Sequence, residues 1–181
     1  MAWKVNKQEV VYKSKWLTVT QDEVESELGH KMTWSRVAKN PAVLVIPWDG
    51  EYTYIVGLYR YPVDAFSWEF VEGNSDFSST EESARVELEE ETGLKAEKFE
   101  KIGEFFLAPG FCNQHFHIYV ATGLTQGVAH PEPDEVAIKV KNVTLKEMES
   151  LIEKKEIMDG PTIAALAFFK AFLNKGASQN K

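Results

Sequence analysis

The chain has 181 residues, 44% of them hydrophobic and 27% charged, with a formal net charge of −8. These values are typical of a soluble globular domain with a substantial core. The negative charge argues against non-specific binding to nucleic acid or to an anionic membrane. Because Cys112 is the only cysteine, an intramolecular disulfide and a thiolate metal cluster are both excluded.

We expect neither a signal peptide nor a membrane span in this chain. No basic start followed by an apolar stretch marks a signal peptide. The longest apolar segment, residues 163–172, is much shorter than the roughly 20 residues that span a bilayer. We therefore expect a cytoplasmic protein that does not enter a membrane.

The first part of the chain has the alternating pattern of β-strands. Residues 9–13, 17–24 and 31–37 are predicted to form strands, with Gly29 in the turn before the last one. They would make a small antiparallel sheet in an N-terminal β subdomain, residues 1–38. The apolar run at 42–47 predicts a buried strand, and residues 52–60 are expected to form a hairpin with it around Asp49 and Gly50.

The next element is a short helix with acidic side chains on one side. Ser79 is its expected N-cap, with Glu82 completing a capping box, and Gly93 is expected to end it. Glu87, Glu90 and Glu91 have i, i+3, i+4 spacing, so their carboxylates project from one face and repel one another. Most glutamate runs are solvated helix faces, but a hard dication such as Mg²⁺ would remove this repulsion. The spacing therefore suggests a metal platform for a phosphate-bearing substrate.

The remainder of the chain alternates between strands and helices. Residues 101–107, 115–124 and 136–143 are predicted strands. A helix over 145–154 is expected to begin after Thr144, with Glu147 in a capping box. The last helix is expected over 161–173, with Pro161 at its first position. The main domain would then cover residues 39–174, followed by a flexible polar tail, residues 175–181.

The acidic helix resembles the Nudix box, G-x5-E-x7-R-E-U-x-E-E-x-G-U with U aliphatic. Residues 87–94, ELEEETGL, match the last eight positions, whereas Val86 and Ser78 replace the arginine and first glutamate of the box and Gly73 is one residue too close. Residues 58–63 and 68–73, the loop 108–114 with Pro109, and residues 156–166 resemble segments of the Nudix branch that hydrolyses ADP-ribose and nucleoside-diphosphate sugars.

This resemblance implies the fold and the reaction. It implies an α/β/α sandwich with a central mixed sheet, beside the small N-terminal antiparallel sheet. It also implies Mg²⁺-dependent (or Mn²⁺-dependent) hydrolysis of the pyrophosphate bond. Glu87, Glu90 and Glu91 would bind metal, with a further ligand at or next to Glu72. The base would be Glu90, or Glu135 in the acidic loop.

Substrate-binding residues have structural alternatives. Arg36 and Arg60 are expected to bind phosphate oxygens, although structural salt bridges are equally compatible with them. Trp16 or Trp34 would stack on the base, although an aromatic residue in a small sheet is more often part of a core. Three residues of the proline loop, Pro109, Gly110 and Phe111, would line the sugar pocket. Gln114 replaces a glutamate there and cannot accept a proton, but it can still form hydrogen bonds.

The resemblance also implies a homodimer in which the N-terminal strands, residues 1–38, are exchanged between subunits. The favoured function is hydrolysis of ADP-ribose or another nucleoside-diphosphate sugar. Two alternatives stay open. One is a Nudix hydrolase of dinucleotides or nucleoside triphosphates. The other is a non-catalytic regulator that binds a nucleotide sugar, for which the departures at Val86, Ser78 and Gln114 are the best support.

Overall fold

The computed structural model describes residues 3–75, 77–130 and 138–179, with side chains up to residue 176. The described chain divides into two compact units. Unit 1 comprises Met1–Pro41 and Phe105–His115, and unit 2 comprises Ala42–Glu104 and Phe116–Lys181.

Unit 1 contains an antiparallel three-stranded sheet. Its strands, in the order β1-β2-β3, are β1 (Trp3–Lys13), β2 (Thr18–Ser26) and β3 (Lys31–Ala38). Gly29 lies in the turn before β3 with φ of +79°, a conformation that glycine adopts without strain. The predicted N-terminal sheet is confirmed, although β1 begins at Trp3 rather than at residue 9. The strand extends this far because its first residues still alternate and pair with β2 as far as Ser26.

Unit 2 contains two further sheets. The strands of this unit are β4 (Ala42–Pro47), β5 (Thr53–Arg60), β6 (Ala65–Glu69), β7 (Val71–Asn74), β8 (Leu94–Phe106), β9 (His115–Gln126) and β10 (Lys139–Val143), of which β8 and β9 each reach into unit 1. One sheet has the order β7-β4-β9-β8 and the other β10-β5-β6. Strand β4 is parallel to β9 and antiparallel to β7, so the central sheet is mixed as predicted.

The predicted hairpin of residues 42–47 and 52–60 is wrong. Strands β4 and β5 lie in different sheets, and the turn between them carries one isolated bridge, from Trp48 to Thr53. The turn itself forms, since the Asp49 carboxylate accepts from the Glu51 and Tyr52 amides. Every residue of β4 is buried, and both of its edges are occupied by other strands, so β5 is displaced to the second sheet.

Helices cover the central sheet. Helix α1 (Thr80–Thr92) contacts β4 and β7, and its buried Ala84 and Leu88 join a core cluster with Val43 and Val45. Strand alternation directs Leu44 and Ile46 to the opposite face, and α3 (Gly160–Gln179) also contacts β4. Helix α2 (Leu145–Glu153) follows β10. The predicted fold class, an α/β sandwich around a mixed sheet, is confirmed.

The helix ends follow their sequence signals with two exceptions. The Ser79 side chain caps α1 by accepting from the Glu82 amide, but the Glu82 carboxylate accepts from Ser78 instead of returning to the cap. The capping box at Thr144 and Glu147 is complete. Helix α3 continues to Gln179 instead of ending at residue 173. Its extension covers most of the predicted tail, because alanine and polar helix formers surround Gly176. In the described chain, no helix has the length and apolar character needed to cross a membrane.

Candidate active site

Three carboxylates of α1 occupy the face that the spacing predicts. Glu91 is 3% exposed, whereas Glu87 and Glu90 are partly buried. The helix ends at Gly93, whose φ of +71° allows its amide to bond the Glu89 carbonyl. The segment after β9 closes on this end, where the His130 amide bonds the Glu90 carbonyl. The end of the helix that carries the glutamates is therefore held by backbone hydrogen bonds.

The Glu87 carboxylate lies directly on the backbone of Gly73 in β7. A Cβ built on Gly73 would be 1.8 Å from Cδ of Glu87 and 1.9 Å from its Oε1. Only a glycine therefore allows the carboxylate to approach β7 this closely. This contact brings the helix carboxylates to the strand that carries Glu72, and it assigns Gly73 a role although the glycine is one residue out of place in the sequence pattern.

A second acidic group lies beside this strand. Ligand oxygens of Glu69, Glu72 and Asp159 all lie within 4.8 Å of one another. Burial, followed by the charges of Asp159 and Glu69, raises the pKa of Glu72 well above its usual range. The Thr162 hydroxyl lies 3.4 Å from Glu72 Oε1 and accepts a hydrogen bond from the Phe70 amide.

The positively charged Arg60 binds one member of this acidic group, Glu69. Its Nε donates to both oxygens of Glu69, at 3.1 and 3.0 Å, and its Nη2 donates to Oε2. Burial raises the pKa of Glu69, and the Arg60 bonds only partly oppose this effect. Burial also disfavours the charged guanidinium, but the bonds and charge of Glu69 outweigh it and raise the pKa of Arg60. The charges of Glu72 and Glu91 act in the same direction, so Arg60 lies within the electrostatic field of the site carboxylates.

Unit 1 contains an apolar cavity of about 410 Å³. Its walls include four of the residues expected to bind substrate, namely Arg36, Pro109, Gly110 and Phe111, together with the alternative Trp34. The Trp34 indole N–H donates to the Gly110 carbonyl at 3.3 Å, and Trp3 meets Trp34 edge to face at 5.8 Å. The cavity has the size and the flat aromatic walls that suit a planar ring.

The charged wall of this cavity is an ion pair in which the carboxylate is buried and the arginine is partly exposed. Arg36 Nε lies 2.5 Å from Oδ2 of Asp22, and the Gln8 amide donates to Oδ1 of the same carboxylate at 3.0 Å. The hydrogen bond from Arg36 holds the pKa of Asp22 below its usual value, although burial opposes it. Arg36 therefore has the structural partner that was one of its two alternatives, and it also faces the cavity.

The comparisons with known proteins identify the family. A model of the NUDIX domain matches residues 38–166. The chain belongs to the Nudix family. An ADP-ribose pyrophosphatase of Bacillus subtilis (strain 168) is 30% identical over 90% of this Nudix chain and 89% of its own. A methanol dehydrogenase activator of Bacillus methanolicus is also 30% identical, over 92% of both chains.

A solved structure has a similar fold. The crystal structure of an ADP compounds hydrolase superposes with a TM-score of 0.85, covering 97% of this chain and 96% of that one at 22% identity. The resemblance noted in residues 87–94 therefore extends to the whole fold.

Some expected Nudix site residues lie elsewhere. In the described chain, Trp16 and Gln114 do not line the cavity. Trp16 is exposed beneath the Lys15 ammonium, which is 3.9 Å from the ring centroid. Gln114 is buried, and its backbone N–H donates to Cys112 Sγ. Glu135 is outside the described residues. Arg85, one place from the missing box arginine, pairs with Glu81 and bonds the Ala96 carbonyl.

Sequence reasoning did not assign roles to Asp22, Glu69 and Asp159. Glu69 and Asp159 occur inside segments that were compared with the family, where an acid at the end of a strand or before a helix was a usable signal. Asp22 sits among the residues of β2 that alternate between buried and exposed, and its burial marks it only once the sheet is known.

Proposed function

We propose that this protein hydrolyses the pyrophosphate bond of ADP-ribose, or of a related nucleoside-diphosphate sugar, to a nucleoside monophosphate and a sugar phosphate. The observation that carries the proposal is the Glu87 carboxylate seated on Gly73, with Glu91 one turn further along the same face of α1. The names of the Bacillus subtilis relative and of the matched crystal structure support ADP-linked substrates.

The glutamates expected to bind metal offer the type of donor that Mg²⁺ prefers, with Mn²⁺ as an alternative. Glu87, Glu90 and Glu91 offer carboxylate oxygens, which hard dications prefer, and β7 adds Glu72. The space over Gly73 is open to the Glu87 carboxylate because no side chain fills it. When bound, the metal neutralises phosphate oxygens and acidifies a water molecule.

The residues of the chain have separate tasks in this reaction. Glu87 and Glu91 would bind the metal. The hydrogen bonds between the end of α1 and the segment after β9 keep their carboxylates in position. Arg60 binds a phosphate oxygen of the substrate with its guanidinium. A water oxygen attacks one phosphorus, the bond from that phosphorus to the bridging oxygen breaks, and the bridging oxygen leaves with the other phosphate. Glu90 or Glu135 accepts the proton of the water.

The cavity of unit 1 is proposed to bind the base of the nucleotide. Trp34 and Phe111 offer flat faces for stacking, and Arg36 offers donors to acceptor atoms of the ligand. Pro109 and Gly110 form the rim. Trp16 and Gln114 remain predicted substrate-binding residues, but they would contact the substrate outside this cavity. Replacing Trp34 with alanine should raise KM more than it lowers kcat, because stacking binds ground state and transition state alike.

We also propose a cytoplasmic homodimer in which residues 1–38 are exchanged between subunits. The exposed apolar side chains of the N-terminal strands, among them Val10, Val11 and Tyr12, support an interface there. Sedimentation equilibrium of the whole chain and of a chain lacking residues 1–38 tests this. A full-length monomer at micromolar concentration would contradict the dimer.

A substrate panel tests the reaction. Purified protein with Mg²⁺ is offered ADP-ribose, GDP- and UDP-sugars, NAD and nucleoside triphosphates, and phosphatase-coupled phosphate release is measured. Turnover confined to nucleotide sugars supports the proposal. Glu91→Gln should lower turnover on the order of 10²–10³-fold. Glu89→Gln on the same helix, whose carboxylate pairs with Lys95 at the surface, should not lower it. Turnover of dinucleotides or triphosphates alone would instead favour a Nudix hydrolase that acts on those substrates.

A regulatory role is the second candidate, favoured by the name of the Bacillus methanolicus relative. In that case the chain would bind a nucleotide sugar with Mg²⁺ and influence another enzyme without turning the ligand over. Isothermal titration with ADP-ribose, paired with the panel above, separates the two roles. Tight binding with no product would favour the regulator.

A further inference from the structure

The Arg60 guanidinium is held by Glu69 along one edge. Its bonds to Glu69 use Nε and Nη2, and among the described residues Glu69 does not engage Nη1. Arg60 ends β5 and Glu69 ends β6, but the strand register pairs Glu69 with Val56. The arginine side chain therefore runs back along the sheet to meet the carboxylate. Because two neighbouring nitrogens, Nε and Nη2, both donate to the carboxylate, the plane of the guanidinium is fixed as well as its position.

The two partners differ sharply in exposure. Glu69 is 1% exposed, whereas the Arg60 side chain is 42% exposed. Here the carboxylate is the buried anchor, and part of the cation stays accessible.

Arg60 lies beside the acidic group that includes Glu72. The Glu69 carboxylate that it binds has an oxygen within 4.8 Å of ligand oxygens of Glu72 and Asp159. We propose that Glu69 is a positioning residue, which presents the outer edge of Arg60 to a phosphate of the diphosphate substrate. This inference rests on the proposed function, and it adds a residue that acts through Arg60 without touching the ligand itself.

A double-mutant cycle tests the proposal. The variants are Glu69→Gln, Arg60→Met and the double variant, with the exposed pair Glu149 and Lys170 as matched control through Glu149→Gln. Glutamine keeps the shape of Glu69 but turns a donor toward the arginine. Affinity is measured by isothermal titration with Mg²⁺ and α,β-methylene-ADP, in which the bridging oxygen is replaced. Kinetics with ADP-ribose and thermal unfolding of each variant accompany it.

Glu69→Gln and Arg60→Met should each weaken binding on the order of tenfold, and the double variant should be no weaker than Arg60→Met, because the same interaction is lost once. KM should rise by a similar factor while kcat changes less than about threefold. Glu149→Gln should leave affinity unchanged. Should Glu69→Gln fail to fold, Arg60→Lys takes its place and should bind as weakly as Arg60→Met, since lysine keeps the charge but cannot donate from two neighbouring nitrogens.

Two results would overturn the positioning role. One is a Glu69→Gln protein that is less stable but binds the analogue within twofold of the original chain. The other is an Arg60→Lys protein that binds as the original does. If the original chain hydrolyses ADP-ribose in either case, the proposed function stands and only the role of Glu69 fails. If the original chain neither binds the analogue nor turns over any nucleotide sugar, both fail.

Discussion

Replacing Gly73 with alanine should damage catalysis far more than folding. The new Cβ would stand 1.8 Å from Cδ of Glu87, whereas carbon atoms in contact stay about 3.5 Å apart, so the carboxylate must retreat by about 1.7 Å. A glutamate side chain is flexible and partly exposed, so this retreat costs little stability. A displacement of about 1 Å at a reacting centre is enough to lower the rate about 100-fold, or about 2.7 kcal/mol of barrier.

The assay compares kcat/KM for ADP-ribose with the melting temperature of the same preparation. Gly176→Ala is the matched control, because a Cβ there meets nothing within 4 Å and the residue lies inside α3. It should raise stability by about 0.5–1 kcal/mol without altering kcat/KM. A folded Gly73→Ala protein whose kcat/KM is within threefold of the original would refute the argument that Glu87 acts from its seat on Gly73.

Three further predictions follow from individual contacts. Glu91→Gln should lower kcat on the order of 10²–10³-fold and weaken Mg²⁺ binding in a calorimetric titration; unchanged metal affinity would contradict its role. Thr144→Ala removes the cap of α2 and should cost about 1 kcal/mol, seen as a melting temperature lower by about 2–4 °C with kcat unchanged. Because the Arg36 hydrogen bond lowers the pKa of Asp22 from 3.8, this pair stabilises the fold above that pH, and its contribution disappears as acid titrates the carboxylate through its lower native pKa. Asp22→Asn should therefore make the free energy of unfolding depend less on pH below about pH 4. An unchanged pH dependence of this free energy, measured by chemical denaturation, would contradict the stabilising role of the pair.

The local elements were predictable because short-range chemistry determines them. The capped helix with Glu87 and Glu91, its end at Gly93 and the complete cap at Thr144 all depend on neighbours within a few residues. The pairing partner of β4 was not predictable in this way. The turn at Asp49 forms as expected, but which strand lies beside β4 depends on segments such as β9, far along the chain.

The same difference between local and long-range contacts decides which parts of the active site were predictable. The metal-ligand candidates on α1 follow from periodicity, since a helix face is visible in the sequence. The seat of Glu87 on Gly73, the anchor at Glu69 and the ion pair of Arg36 with Asp22 join different elements. No sequence spacing encodes these contacts, so two arginines with open alternatives could be assigned their carboxylate partners only from the structure.

In the part of the chain that the structure describes, β1 is an edge strand of the sheet in unit 1, with β2 on one side and no strand on the other. Its register against β2 shifts twice, between Val5 and Lys7 and between Val10 and Tyr12. Such irregularities, together with the lysines of the strand, hinder another chain from continuing the ladder of backbone hydrogen bonds. The apolar residues of this strand can therefore contact a partner through their side chains, while fibril growth by backbone pairing at this edge is disfavoured.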